Sequence, residues 1–335
     1  MKYLNYLFII TTILFSSCKK DDEIKDTEQT VTVMMGADQI NDVYYSFSDG
    51  VVSTVARDEW DIAFSVPLQT AAIRINEGAG VELYSVGDTN SWNAIDTSGF
   101  SERTSVYNDN SDWLAGAFNQ YATGGFNFGW GTYDFDVSHT VWGDSIYVIK
   151  LTDGSFKKLF IRKRIGYTDT YVLRWADIDG SGEVNTSFSP AEYADTKHFI
   201  HYSLVSEQVV EAEPDKDTWD LLFTRYIAEV PAGPEITMLY TVMGVLTNQD
   251  VSTVKVTGVN PAEAHYSDAE DTFSDEADVI GWDWKEFDQV NLVYVLAENT
   301  SYFVKRSDET IYRIYFTEYG GQSDGSVTFK IKLVE

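Results

Sequence analysis

The sequence contains one cysteine, Cys18, so no intramolecular disulfide can form. Four histidines and that single thiol are too few ligands for zinc-ribbon or iron–sulfur chemistry. Basic residues are scarce: 24 Lys and Arg stand against 53 Asp and Glu, a formal net charge of −29. Such a surface repels polyphosphates, which excludes a nucleic-acid partner, and it keeps a crowded protein soluble. Prolines number only 6, and no long helical period runs anywhere along the chain.

Aromatic side chains are abundant instead, with 21 Tyr, 19 Phe and 9 Trp. Together with frequent Val and Thr they favour strands and supply core for two β domains in 335 residues. One stretch occurs twice. Trp60-Asp61-Ile62-Ala63-Phe64 is echoed by Trp219-Asp220-Leu221-Leu222-Phe223, 159 residues later. Upstream, Tyr45-Ser46-Phe47 is answered by Tyr202-Ser203-Leu204. Downstream, Gly129-Trp130 is answered by Gly281-Trp282, and YVIKLTDGSFKKLFI from Tyr147 by YFVKRSDETIYRIYF from Tyr302. The fixed order predicts one domain used twice, over residues 31–181 and 182–335, with an all-β, antiparallel fold in each.

The start reads as an export signal. Lys2 precedes the apolar run Leu7 to Phe15, which is too short to span a bilayer, and residues 1–17 form a signal peptide. Leu14-Phe15-Ser16-Ser17-Cys18 reads as a lipobox, with Cys18 acylated and becoming the new N-terminus. Several acyl chains on one cysteine give stable attachment to outer-membrane lipid. Residues 18–30 form a lipidated polar linker. Its Lys19-Lys20-Asp21-Asp22-Glu23 reads as a short polar tether and also resembles the acidic export signal of surface lipoproteins in Bacteroidetes-type bacteria, a resemblance that implies display on the cell exterior.

Along the body, Trp60, Ile62 and Phe64 are expected on one strand face as core, and Asp61 is expected to satisfy backbone donors at the sheet rim. Residues 84–128 are dense in Ser, Asn, Asp and Gly and predict a long loop-rich excursion. Tyr147–Lys150 and Phe156–Ile161 predict a hairpin. Asp177 to Phe188 imitates a calcium loop, but Phe188 stands where a bidentate Glu is needed, so an interdomain turn is expected there. Gly321-Gln322-Ser323-Asp324-Gly325 matches a nucleophile elbow, yet no histidine follows His265. The acidic pairs Glu211/Glu213 and Asp268/Glu270/Asp271 have no spacing that sets one carboxyl apart from another. Lys157, Lys158, Arg162, Lys163 and Arg164 read as the solvent face of a hairpin, able also to hold carboxylates of an anionic ligand.

These landmarks resemble the HmuY-like, haem-binding lipoproteins. The shared features are the lipobox, VYYSFSDGVV from Val43, WDIAF followed by Arg74 and Asn76, and YVIKLTDGSFKKLFI from Tyr147. In the second half they are EPDKDTWDLLFTRY from Glu213 and IGWDWKEFD from Ile280. The resemblance covers both halves except about residues 84–128. It implies a non-catalytic surface protein that captures haem for iron acquisition, the iron taking two axial His or Met side chains, with a surface receptor as partner. Carried over, His139 is the axial candidate before the Tyr-x-x-Lys hairpin, with its second-half counterpart near Gln289. Met238 and Met243 are the thioether candidates in the second half, and Met243, within LYTVMGVL, also reads as a core residue. His198, His201 and His265 read as surface or strand residues. The competing reading is a metal-free surface interaction or glycan-binding module on the same scaffold, its exposed aromatics stacking on sugars.

Overall fold

The computed structural model describes residues 27–67, 70–96, 99–137 and 139–335. The stretch read as a signal peptide, Cys18 and most of the expected linker lie outside them. The chain is nearly all-β, as the composition requires, with antiparallel pairing throughout the named strands.

The strands form two lobes. One sheet orders β1 (Gln29–Met34), β22 (Ser326–Leu333), β21 (Ile311–Tyr319), β20 (Thr300–Lys305) and β17 (Ser252–Thr257). A second joins β12 (Val184–Phe188), β11 (Thr170–Asp177), β10 (Phe156–Ile165), β8 (Thr140–Gly143) and β7 (Gly131–Asp134). In that sheet β9 (Ser145–Lys150) pairs with β10 and with β6 (Glu82–Asp88). A two-stranded ribbon, β18 (Lys285–Asp288) with β19 (Val293–Leu296), packs beside β21 and belongs with the β1–β22 sheet, the second lobe; the sheet of β6–β12 is the first lobe. The hairpins expected from Tyr147 and Tyr302 are thus present, as β9–β10 and β20–β21.

Two smaller sheets join the repeats. β14 (Gln208–Val210), β13 (Phe199–Ser203), β4 (Ile62–Ser65) and β5 (Ile73–Ile75) form one. β16 (Ile236–Thr247), β15 (Leu221–Gly233), β2 (Asn41–Ser46) and β3 (Gly50–Ala56) form the other. The units 31–181 and 182–335 therefore do not close on themselves. β13, from the second repeat, pairs with β4 of the first in the register Tyr202↔Ile62, and β2, from the first, pairs with β15 of the second as Tyr45↔Leu221. The boundary expected at 181/182 is a hairpin turn inside one sheet, where β11 pairs with β12. Lys157 Nζ reaches Asp177 Oδ1 at 2.5 Å in that turn.

Each core consequently takes side chains from the other repeat. Tyr202 and Leu204 sit in the first core with Ile62, Phe64, Trp130 and Tyr147. Tyr45 and Phe47 sit in the second with Leu221, Phe223, Trp284 and Phe329. Burying each such side chain is worth roughly 1.5–3 kcal/mol, so the exchange fastens both lobes. Trp60 departs from its expected face. The strand begins only at Ile62, and Trp60 turns toward Ala63, Ala72 and Phe199 at the seam.

The repeated Trp-Asp motif explains how the exchanged hairpins are held. Asp61 Oδ2 accepts Leu204 N–H at 2.7 Å, and Asp220 Oδ2 accepts Phe47 N–H at 2.7 Å. The expected rim-capping role of Asp61 is what the geometry gives. Asn76 Nδ2 donates to the carbonyls of Arg57 and Trp60, and Asn248 Nδ2 donates to those of Lys216 and Trp219. The two halves therefore repeat in hydrogen bonding as well as in sequence.

The excursion over 84–128 ties the lobes together. Asn110 Nδ2 bridges Glu77 Oε1 at 2.7 Å and Ile227 O at 3.1 Å, and Trp113 Nε1 donates to Thr247 O at 2.8 Å.

Candidate functional site

His139 lies in the turn joining β7 to β8, whose ladder closes at Asp134↔Thr140. Its φ of 49° is left-handed, a conformation that non-glycine residues adopt sparingly. The ring is half-buried and its Nδ1 stands 2.7 Å from the Tyr133 hydroxyl. Tyr167 packs edge-on at 5.0 Å between ring centroids. Phe135 lies 6.5 Å from the imidazole and 4.5 Å from Phe126. Tyr167, Phe126 and Phe135 are 74%, 54% and 53% exposed, so the imidazole stands within a solvent-facing aromatic cluster. When Nδ1–H donates to the Tyr133 oxygen, Nε2 is left with its lone pair for a metal or a ligand proton.

The second lobe carries the same hairpin with different chemistry. Trp130 precedes β7 and accepts Asp144 N–H, while Trp284 precedes β18 and accepts Ala297 N–H. Both indoles are fully buried. Trp284 is therefore the structural counterpart of Trp130, two residues beyond the expected Trp282. The counterpart of His139 follows: Leu292, φ 56°, immediately before β19 and three residues beyond Gln289. Leu292 offers no lone pair.

The structure does not bring Met243 to His139. Met243 is buried in the second core on β16, paired across the ladder with Arg225, while His139 is on the first lobe. Its burial overturns the thioether role and agrees with the core reading of LYTVMGVL. Met238, five residues earlier, is about half exposed on the same strand.

His201 is a strand residue, on β13, and both it and His198 are buried at the seam, so His198 is not on the surface. His198 Nε2 pairs with Asn248 Oδ1 at 3.0 Å. His201 stacks edge-on to Trp60 at 4.6 Å, and burial, assisted by Lys197, pushes its imidazole down to about 3, so it stays neutral. His265 alone is exposed, capping a short turn through Ser267. A cleft between the lobes is lined by Trp60, Arg74, Glu77, Asn110, Trp113 and His201. Its free space of about 70 Å³ takes a few waters. Arg74 is committed there to the carbonyls of Asp109, Asp112 and Trp113, and Glu77 to Asn108, Asn110 and Ile227.

The basic cluster on β10 is not one solvent face. Lys158 and Arg164 are buried, the first on Trp92 O and the second on Asp169, and a register shift between Ile161 and Lys163 sets them on opposite faces of the sheet. Lys163 instead rests over the Trp142 ring at 4.9 Å. Among the described residues no group of three or more His, Cys, Asp and Glu could hold a metal ion, and no helix is long and apolar enough to cross a membrane.

The sequence matches no family model and no curated protein. A solved structure from Bacteroides vulgatus ATCC 8482, described as an HmuY-like heme-binding protein, is similar over 40% of this chain and 78% of its own, at 18% identity and a TM-score of 0.22. At that level the likeness carries no argument about fold or function.

Proposed function

We propose that this chain is a non-catalytic binding protein, anchored to the outer membrane through acyl groups on Cys18 and facing the cell exterior, that captures haem at His139 for iron acquisition. One observation carries the haem reading: an imidazole held at Nδ1 by the Tyr133 hydroxyl inside an exposed aromatic cluster. Imidazole nitrogen is a good axial ligand for haem iron, and Phe126, Phe135 and Tyr167 supply apolar cover for a macrocycle. Tyr133 is the partner that fixes the ring's tautomer and orientation. With Met243 in the core, His139 is the one of the two axial candidates that solvent can reach. A single protein ligand favours a high-spin spectrum.

The test is a haemin titration of the chain from residue 19 onward, followed by absorbance. A saturable Soret shift at one haem per chain, lost in His139→Ala, supports the reading. A spectrum indistinguishable from free haemin, or a shift untouched by His139→Ala, rejects it. The exposure of Tyr167, Phe126 and Phe135 favours one second reading, aromatic stacking on sugar rings without metal. In that case His139→Ala leaves glycan-array binding intact, while Phe135→Ala and Tyr167→Ala reduce it.

A further inference from the structure

The hairpin β15–β16 runs well past the sheet it belongs to. Burial is complete near Leu221 and Thr247 and falls away toward the tip at Gly233 and Ile236. On the overhang Ile236, Met238, Leu239 and Tyr240 are between 49% and 60% exposed. β16 is an edge strand, and its 12 residues, ITMLYTVMGVLT, contain no charge. Long, uncharged, exposed edges are what soluble β proteins avoid unless something pairs with them.

The backbone parity shows which groups are open. Val245 N–H and Thr247 N–H point away from β15, to the carbonyls of Gly281 and Ala277. Met243 O, two residues back on the same side, takes Lys285 Nζ at 2.6 Å. The next outward positions are Thr241, Leu239 and Thr237, and among the described residues their outward N–H and C=O groups have no partner. On the opposite edge of the hairpin, Ile227 N–H is taken by Glu77 Oε1 at 3.0 Å and Ile227 O by Asn110 Nδ2 at 3.1 Å. One edge is capped by the other lobe, and the other is left as a three-position template.

We infer that the outer edge of β16 over Thr237–Thr241 docks an extended segment of a partner protein by strand addition. The segment would carry apolar side chains at alternate positions and Lys or Arg at its ends. The charge around the edge selects this occupant. Glu229 and Glu235 flank the overhang, and residues 226–247 contain no Lys or Arg. A second copy of this chain would bring the same acids, and another −29 charges, to the same place.

The probe is a labelled peptide, Lys-Lys-Val-Thr-Val-Thr-Val-Lys-Lys, with a control bearing Glu at the four Lys positions. Leu239→Pro removes one outward N–H without touching the ladder to β15, whereas Leu239→Thr keeps it. Saturable binding of the Lys peptide is expected, weakened roughly tenfold or more by Leu239→Pro and little changed by Leu239→Thr. In the unsubstituted chain, hydrogen exchange at the amides of 237, 239 and 241 slows when the peptide is added. This second measurement stands even if Leu239→Pro fails to fold. No binding, equal binding of the Glu peptide, or no added protection at those three amides overturns the inference. So does a dimer seen by sedimentation that Leu239→Pro abolishes, since the occupant would then be a second copy.

Discussion

The carboxylate of Asp61 accepts the backbone N–H of Leu204 at 2.7 Å across 143 residues of chain. Asp220 does the same for Phe47 across 173 residues. Each repeat therefore clamps the first hairpin of the other, and neither clamp can open without loosening a core made partly of the other repeat's side chains. Hydrogen bonds to a charged acceptor contribute about 1.5–3 kcal/mol, and the orphaned buried amide adds its own cost. Asp61→Ala and Asp220→Ala should each lower stability by about 2–3 kcal/mol in urea titrations. A loss under about 0.5 kcal/mol would mean that packing alone holds the hairpins.

The exchange separates two ways of cutting the chain. A fragment over 57–212 contains β4 through β14 and the whole first core, and should fold alone with a cooperative transition. A fragment over 31–181 lacks β13, one of the two strands that pair with β4, and leaves β2 without β15, and should not. Circular dichroism and thermal melts of the two fragments decide between them.

Gly78 sits where the lobes meet, and a Cβ built on it would stand 2.0 Å from the carbonyl oxygen of Arg225. Backbone cannot rotate away as a side chain can. Gly78→Ala should therefore destabilise by about 1–3 kcal/mol. Exchange at Ile227 N–H, which Glu77 holds across the same seam, should accelerate.

Lys285 is buried with no carboxylate at its ammonium, resting on Met243 O at 2.6 Å and over the Trp284 ring at 4.1 Å. Burial, partly countered by Asp283, pushes it down from 10.5 to about 7. The unfolded chain then binds the proton more readily than the folded one, so unfolding takes up a proton between about pH 7 and 10.5. This contribution makes stability climb with pH through that window and stay flat below it. Urea midpoints at pH 7 and pH 9.5 should show the rise in the unsubstituted chain and a smaller one in Lys285→Met. Identical slopes in the two proteins would place the titration elsewhere.

Tyr133→Phe leaves the aromatic cluster in place but removes the oxygen facing His139 Nδ1. Loss of such a partner typically costs 10–100-fold in metal affinity. Haemin binding should weaken by about tenfold, with stoichiometry unchanged, in the same absorbance titration. An unaltered midpoint would show that the hydroxyl does not orient the ring.

The strand content, the hairpins from Tyr147 and Tyr302, the loop-rich excursion and the capping role of Asp61 are legible in the residues alone, because they follow from local patterning and turn chemistry. Met243 shows where local patterning stops. A strand such as Leu239-Tyr240-Thr241-Val242-Met243 alternates its faces, and only the packing of Trp284 and Phe329 decides that the Met243 face is core. The counterpart of His139 is displaced for a similar reason. Aligning the two repeats matches Gly129-Trp130 to Gly281-Trp282, whereas burial and the carbonyl contacts of the flanking strands match Trp130 to Trp284. Trp113, Asn110 and Glu77 carry no signal in the sequence, because contacts over more than 100 residues leave no local periodicity.

Strand propensity, alternation and turn residues act over a few neighbours, so the residues alone specify a nearly all-β chain and a repeated Trp-Asp motif in both halves. Which strand each repeat accepts is fixed only when the chain folds. Ile62 could be completed by Tyr45 of its own repeat or by Tyr202 of the other, because the two donor hairpins are near copies. The choice rests on chain connectivity and on the contacts of Glu77, Asn110 and Trp113 that hold the lobes together. Those contacts exist only once the distant segments have met.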